Sequence, residues 1–527
     1  MILDKKTIRS IIGMTVVLSL STIYIFYFTD ADVSWTSLLL VGLFYIGIIG
    51  FGIYAAARKS DSDVNEVLLA GRKIPLSLAI FTMSATWIGG GFINGTAEYT
   101  FDSGYGLIWV QAPWGYAMSL IIGGLFFARK MRDAGYKTML DPLEEKFGKQ
   151  MASVLFLPAL SGEIFWSAAI LTALGTTFGI ILGIDLQAAI VISAFIAIAY
   201  TAIGGLWAVA ITDMLQLVLL FVGLILVLPF AVDHLGGFNN TWILYKEKMG
   251  ALATLLPSKS ALGDYYWQWW DYALLLMFGG IPWQVYFQRV LSAKDGNTAV
   301  KLSLIAGFVC ILAAIPASMI GMIGTVTDWA ALGLPIPNSS SSILPHVMRH
   351  LTPPLIGAIG LGAIAAAVMS SVDSSILSAA SMTSWNVYRP LIKPDISPSN
   401  LAKVLKRCIW IIGAAATVLA LNIESVYELW FLCSDFVYCL LFPALVCALF
   451  DPKANVYGAA SGFAVAAFLR FGGGDSTLGI PPFIEYPMMV DGNVLFPFRT
   501  LAMVCGLLTI IIVSRLWTHK TIDNWCC

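Results

Sequence analysis

Apolar runs of about 20 residues recur along nearly the whole chain, and each is long enough to cross a hydrocarbon core of roughly 30 Å as a helix. A helix satisfies its backbone hydrogen bonds internally, so in lipid these runs predict an all-α membrane protein. About fourteen transmembrane helices are expected, at residues 11–28, 36–57, 75–97, 107–128, 153–181, 185–203, 207–231, 268–287, 299–324, 354–383, 405–421, 425–448, 454–470 and 497–517.

The composition agrees with lipid as the main solvent. Hydrophobic residues make up 58% of the 527 residues and charged residues 12%, whereas soluble chains carry about 25% charged residues. The net charge of −1 offers no basic excess for phosphates, which argues against a nucleic-acid partner. The four histidines lie outside the predicted spans and no nucleophile or metal motif is found, so an enzyme is not expected.

Basic residues predict the orientation, because cytoplasmic loops are rich in Lys and Arg. Placing the N-terminus inside predicts a multi-pass protein of the cell membrane with both ends in the cytoplasm. The run 11–28 is interpreted as a retained helix rather than a secretory signal, because no small-residue cleavage site follows Phe28. In this orientation the only basic residues outside are Lys246, Lys248, Lys259, Arg349, Arg470 and Arg499.

Two predicted spans contain residues that interrupt a helix. Residues 87–95 include four glycines, and residues 279–283 combine two glycines with Pro282. Paired breaks in corresponding spans predict an inverted-repeat transporter with its site near the bilayer midplane, whereas close glycine packing between helices is the alternative. The chain then divides into an extra helix and a first peripheral helix (1–74), a first inverted five-helix repeat (75–231), an extracellular loop (232–267), a second repeat (268–448), and C-terminal peripheral helices with a short tail (449–527).

Each break lies beside a tryptophan, Trp87 or Trp283, and Tyr116 and Trp166 are in the two spans after the first break. A quaternary ammonium group cannot donate a hydrogen bond, so aromatic faces are its main source of attraction in a dry site. These four residues are therefore predicted to enclose a small organic cation. The alternative is that they face lipid or the membrane interface.

A sodium site needs hard oxygen ligands. Ala367, Ser370 and Ser371 share one helix face and offer a carbonyl and two hydroxyls. Carbonyls freed near Ser84 and Trp87 are predicted to complete the site. Serines that only hold two helices together are the alternative.

Four acidic residues, Glu163, Asp213, Asp373 and Asp435, lie more than five residues inside predicted spans, where ionisable groups are costly. Asp213 is predicted to attract sodium along its path, and Asp373 to lie close to the ion. Glu163, one turn before Trp166, either adds negative potential to the cation site or pairs with a polar neighbour. For Asp435 a structural role is an equal alternative.

Six short motifs can be compared with known families: Phe81-Thr82-Met83-Ser84-Ala85-Thr86-Trp87, Ile93-Asn94-Gly95-Thr96-Ala97-Glu98, Gln111-Ala112-Pro113, Met139-Leu140-Asp141-Pro142, Gly279-Gly280-Ile281-Pro282-Trp283-Gln284 and Ala366-Ala367-Val368-Met369-Ser370-Ser371. In these motifs residues 37–515 resemble the sodium:solute symporter family, and within it the high-affinity choline transporter group. The resemblance implies a LeuT-like fold, alternating access, choline at Trp87, Tyr116, Trp166 and Trp283, sodium at Ala367, Ser370 and Ser371, and chloride dependence with no residue assigned.

The expected function is sodium-coupled choline uptake across the bilayer. Two alternatives stay open: a sodium symporter for betaine, proline or a sugar, and a membrane sensor that binds choline without moving it. Sodium stoichiometry and oligomeric state do not follow from the sequence. The animal members resemble this chain without its first span and with a longer cytoplasmic tail, so tail-based trafficking and a neuronal role are not expected.

Overall fold

A computed structural model describes residues 69–72, 74–203, 206–423, 425–490 and 493–517, with six further residues between Trp35 and Leu43. The predicted span 11–28 lies outside the described residues, as does almost all of 36–57. The count of fourteen spans is therefore not confirmed. Among the described helices, eight are long and apolar enough to cross a membrane, or nine when one bent pair is counted as a single span.

Each predicted span from residue 75 onwards coincides with helical structure. The α-helices are α1 Leu76–Trp87, α2 Gly90–Phe101, α3 Ala112–Ile122, α4 Arg129–Asp133, α5 Asp141–Leu182, α6 Leu186–Ile203, α7 Leu206–Ala231, α8 Phe238–Met249, α9 Lys259–Leu262, α10 Tyr266–Gly279, α11 Gln284–Ser292, α12 Gly296–Val326, α13 Ile343–His350, α14 Pro354–Met382, α15 Pro398–Asn422, α16 Val426–Phe436, α17 Phe442–Phe450, α18 Val456–Gly472 and α19 Phe498–Leu516. Segments of π-helix at Gly123–Ala128, Thr383–Ile392 and Val437–Leu441 extend α3, α14 and α16.

Helix α14 lies in the middle of the bundle. It packs against α1, α2, α5 and α7, and its side chains are buried almost throughout. Small residues permit this close packing, because a Cβ on Gly223 of α7 would overlap the side chain of Ala363. The helix that carries the predicted sodium ligands is thus shielded from lipid on most of its surface.

The predicted extracellular loop 232–267 and the connection between α12 and α14 both contain short helices. Helices α8 and α9 lie within 232–267, and α13 precedes α14. Helix α8 packs on α12, and the Tyr245 hydroxyl donates to the carbonyl of Thr100 at the end of α2 (2.8 Å). A two-stranded hairpin, β1 Met489–Val490 and β2 Asn493–Val494, lies between α18 and α19. These segments cap the bundle on the predicted outer side.

The last two helices, α18 and α19, pack tightly on each other. A buried ionic network then joins them to the rest of the bundle. Arg470 of α18 donates to both oxygens of Asp435 on α16 (2.6 Å each), and Arg499 of α19 donates to the same carboxylate (2.7 Å). We call Asp271, Asp435, Asp475, Arg470 and Arg499 the outer ionic network.

Candidate functional site

The first break separates α1 from α2, which meet at an angle of 46°. Ile88 and Gly89 are non-helical, and Gly89 is extended. A Cβ on Gly89 would overlap Ser371, and one on Gly90 would overlap Val368. The glycines therefore let the backbone of the break lie directly against α14.

The second break lies between α10 and α11, where residues 280–283 are non-helical. Pro282 has no backbone donor, which helps to end the helix. A Cβ on Gly280 would lie 2.6 Å from Ser119 Oγ and 2.8 Å from Tyr116 Cδ1. Here glycine permits the close approach of α3. The Gln284 side chain fixes the start of α11 by accepting from Met139 N (2.7 Å).

The two breaks bring four predicted aromatic residues together. Trp87 and Trp283 stack with their ring centroids 5.2 Å apart and their planes 15° apart. Tyr116 lies 5.1 Å from Trp87, and Trp166 lies 4.9 Å from Trp283. All four are at least 97% buried. None of these side chains faces lipid.

A fifth ring, Trp430 of α16, was not predicted. Its centroid is 4.9 Å from that of Tyr116, and the Tyr116 hydroxyl is 2.5 Å from Ser434 Oγ on the same helix. Trp430 is far from either break in the sequence, so its aromatic character was its only signal among 17 tryptophans. We call Trp87, Tyr116, Trp166, Trp283 and Trp430 the aromatic cluster.

The aromatic cluster offers a ligand both ring faces and indole N–H donors. Three of its indole N–H groups, in Trp87, Trp283 and Trp430, donate to no described residue. Ring faces attract cations, and each is worth about 2 kcal/mol or more to a desolvated cation. The cluster therefore suits a compact cation with apolar substituents, and the indole N–H groups can donate to an oxygen of that ligand.

Oxygen atoms from α1 and α14 meet beside this cluster. Ser371 Oγ lies 3.3 Å from the carbonyl oxygen of Thr86 and 3.4 Å from that of Ala367. The Ser84 carbonyl accepts from Ile88 N (2.8 Å), while Ser84 Oγ is buried without a described partner. The predicted residues Ala367 and Ser371 thus meet Thr86, whose carbonyl oxygen the sequence did not single out. Ser84 is two residues before Thr86 on α1, and its carbonyl is not freed as predicted because Ile88 N donates to it.

Ser370 faces a different neighbour, Asp213 of α7. Ser370 Oγ donates to Asp213 Oδ1 (2.7 Å) and Thr82 Oγ1 donates to Oδ2 (2.5 Å). Arg289 Nη2 lies 3.8 Å from the same carboxylate and donates to Ser374 Oγ (2.6 Å). Asp213 therefore links α1, α14 and α11, a role that goes beyond a position on an ion path.

Two further buried carboxylates surround Arg289. Both Asp373 and Glu163 lie within electrostatic range of its guanidinium, and neither accepts a hydrogen bond from a described side chain. Backbone groups of Val285 and Ser374 lie beside them. Three buried carboxyl groups thus lie within electrostatic range of one guanidinium. We call Glu163, Asp213, Asp373 and Arg289 the inner ionic cluster. Asp435, in contrast, belongs to the outer ionic network.

Comparison with known proteins places these features in a family. The model of the sodium:solute symporter family matches residues 68–466. The chain belongs to the sodium:solute symporter family. It is 47% identical over 498 residues to "High-affinity choline transporter 1" of Drosophila melanogaster, covering 92% of this chain and 78% of that protein. It is 46% identical over 496 residues to the human protein called "High affinity choline transporter 1", covering 91% and 84%.

Solved structures show the symporter's fold. A Na+-coupled sialic acid symporter in a substrate-bound, outward-open state matches with a TM-score of 0.73 at 19% identity, covering 92% of this chain and 98% of that chain. MhsT in complex with L-phenylalanine matches with a TM-score of 0.50 at 17% identity, covering 84% and 98%. This family member is therefore an all-helical, multi-pass membrane transporter. Its family and relatives confirm that it is not an enzyme.

Proposed function

We propose that this symporter takes up choline across the cell membrane with sodium by alternating access. The observation that carries the proposal is the aromatic cluster, in which two broken helices and three others bring five buried rings together. Relatives that are close in sequence are named high-affinity choline transporters. A trimethylammonium group needs attraction without hydrogen bonds, and ring faces supply it.

In this proposal Trp87, Tyr116, Trp166 and Trp283 bind choline between their rings, and Trp430 is added to that set. The stacked pair Trp87 and Trp283 separates to admit the cation, because the two residues stand on different breaks. The indole N–H groups that lack a described partner are available to the choline hydroxyl. Glu163, on the same helix as Trp166, supplies a long-range negative potential that favours a net cation over a zwitterion.

The proposed sodium site uses the Ala367 carbonyl and the Ser371 hydroxyl, with oxygens of the first break from Ser84 to Trp87. Asp213 and Asp373 hold negative potential beside it, and Ser370 is fixed by Asp213. Trp87 ends the same helix whose carbonyls face Ser371. Sodium bound there would hold the break in place and position Trp87 for choline, which couples the two cations energetically.

The proposal retains the division into two inverted five-helix repeats, 75–231 and 268–448, with the breaks in corresponding first helices. Interrupted helices that meet at mid-membrane are typical of such transporters. Chloride dependence remains a prediction without an assigned residue. Betaine, proline and sugars need more hydrogen-bond partners than the rings supply, so they are weaker candidates.

Uptake of radiolabelled choline into proteoliposomes tests the proposal. We expect accumulation only under an inward sodium gradient, and Trp87→Ala or Trp283→Ala should weaken choline binding roughly 30-fold, because a desolvated cation–ring contact contributes about 2 kcal/mol. Trp267→Ala, at a tryptophan that is 49% exposed, is the control. Uptake that ignores sodium would refute the coupling. Absence of counterflow from preloaded vesicles would instead indicate a sensor.

A further inference from the structure

A cavity of about 530 Å³ opens on the same side of the bundle as the 232–267 connection. We call it the outer vestibule and define it by five of its lining residues: Tyr105, Trp109, Tyr265, Glu428 and Phe431. Trp109 is at the centre of its aromatic wall, because Tyr105, Tyr265 and Tyr272 meet its ring edge-on at 6.3 to 6.5 Å. The cavity is thus walled by rings and large enough for a small organic cation.

A single layer of rings separates the vestibule from the aromatic cluster. Tyr99, which also lines the cavity, stacks on Tyr427 with centroids 3.8 Å apart. Tyr427 contacts Trp430 at 5.9 Å, and Trp430 contacts Tyr116 of the cluster at 4.9 Å. A cation in the vestibule would therefore be one layer away from the proposed transport site.

The charged residues around the vestibule differ in whether they form ion pairs. Asp435 and Asp475 also line it, but each forms a short ion pair with Arg470. The Arg499 guanidinium covers the ring of Tyr272 at 4.8 Å. Glu428, in the first turn of α16, has no ion pair with any described Lys or Arg. Its carboxyl group is half-buried and bonds to Thr477. Arg499 also lines the cavity, but its ion pairs are with Asp271 and Asp435, so the Glu428 charge lies beside the rings without an ion-pair partner among the described residues.

We propose that the outer vestibule is a second binding site for quaternary ammonium cations, held by the Glu428 carboxylate and the Trp109 and Tyr105 rings. This inference builds on the proposed choline transport but needs no sodium, because the sodium ligands proposed above lie on α1 and α14. The site concentrates the cation next to the ring layer. It is weaker than the transport site because Glu428 and Tyr265 remain in contact with water.

Equilibrium binding of radiolabelled choline to the purified full-length protein, with sodium or with potassium in its place, tests the vestibule. We expect two classes of site in sodium and one, weaker class in potassium. Trp283→Ala should weaken the sodium-dependent class roughly 30-fold and leave the weaker class unchanged. Glu428→Gln should weaken the sodium-independent class about fivefold, as expected for a partly exposed charge pair, and leave the sodium-dependent class unchanged.

Two controls separate this site from general electrostatic attraction. Glu247→Gln removes a carboxylate from exposed α8 on the same side, outside the vestibule, and should leave both classes unchanged. The neutral isostere 3,3-dimethylbutan-1-ol should not displace choline bound in potassium, whereas tetramethylammonium should. The vestibule site would be overturned if no choline bound in potassium. It would also be overturned if Glu247→Gln and Glu428→Gln weakened that binding equally. Loss of the sodium-dependent class alone would count only against the transport proposal.

Discussion

The outer ionic network and the inner ionic cluster bury similar groups but treat them in opposite ways. In the outer network, Asp435 receives three hydrogen bonds from Arg470 and Arg499. In the inner cluster, the oxygens of Glu163 and Asp373 accept none from a described side chain. Fully paired charges hold helices together, whereas buried carboxyl groups without a side-chain partner are retained at a cost that cation binding can offset. The contrast assigns stability to the outer network and cation binding to the inner cluster.

The largest expected effect is on stability at the outer network. Asp435→Asn leaves two buried guanidiniums without their shared counter-charge, which should lower the free energy of unfolding by about 3–5 kcal/mol. Thermal unfolding of the purified protein in detergent measures the loss. Asp451→Asn is the control, because its partner Arg515 is 46% exposed; it should change stability by less than about 1 kcal/mol. An Asp435→Asn protein that melts like the wild type but loses sodium dependence would reverse our assignment.

The second-largest effect is expected on the apparent affinity for sodium, through the inner ionic cluster. Asp213→Asn keeps one of the two acceptor oxygens, replaces the other by an N–H donor and removes the negative charge. The half-saturating sodium concentration should rise roughly 100-fold, since bonds to a charged group contribute about 3 kcal/mol. Choline uptake across a sodium series measures this shift. Asp233→Asn, at an exposed position just beyond α7, is the control. An unchanged sodium curve in Asp213→Asn would remove Asp213 from the site.

A smaller effect is expected at Glu163, which lies nearer to the rings. Glu163→Gln should raise the choline KM about tenfold, because an amide cannot ionise beside the bound cation in this poorly solvated region. The ratio of the choline affinity to the betaine affinity should also fall, because the negative potential of Glu163 repels the carboxylate of betaine. Glu145→Gln, at the exposed end of the same helix, serves as the control. If Glu163→Gln shifts sodium but not choline affinity, Glu163 belongs with Asp213 and Asp373.

Local chemistry made the two breaks predictable from the sequence. Glycine and proline act on their own backbone, so Gly89, Gly90 and Pro282 indicate interruptions without knowledge of the fold. Trp87 and Trp283 are sequence neighbours of those breaks, and their meeting followed from the expected pairing of the two repeats. The apolar runs likewise gave the positions of the described spans.

Contacts between distant helices were not predictable. Trp430 joins the aromatic cluster through Tyr116, which is more than 300 residues away. Asp213 bonds to Ser370 across 157 residues, and nothing near either residue indicates the pair. Arg289 follows the predicted end of its span at residue 287, so it was interpreted as a flanking cytoplasmic charge. The second break moves it into the bundle, where it is 1% exposed.

The smallest effect is expected at Ser371. It tests whether a serine of α14 that faces the first break differs in function from one that bonds only within its own helix. Ser371 Oγ faces the Thr86 carbonyl across the first break, whereas Ser381 Oγ only bonds to Leu377 of its own helix (2.7 Å). Ser371→Ala removes one neutral oxygen ligand and should raise the half-saturating sodium concentration about fivefold, since a neutral hydrogen-bonding group contributes about 1 kcal/mol. Ser381→Ala should leave the sodium curve unchanged. Equal shifts in the two variants would mean that α14 serines act through helix packing, and that Ser371 is not a sodium ligand.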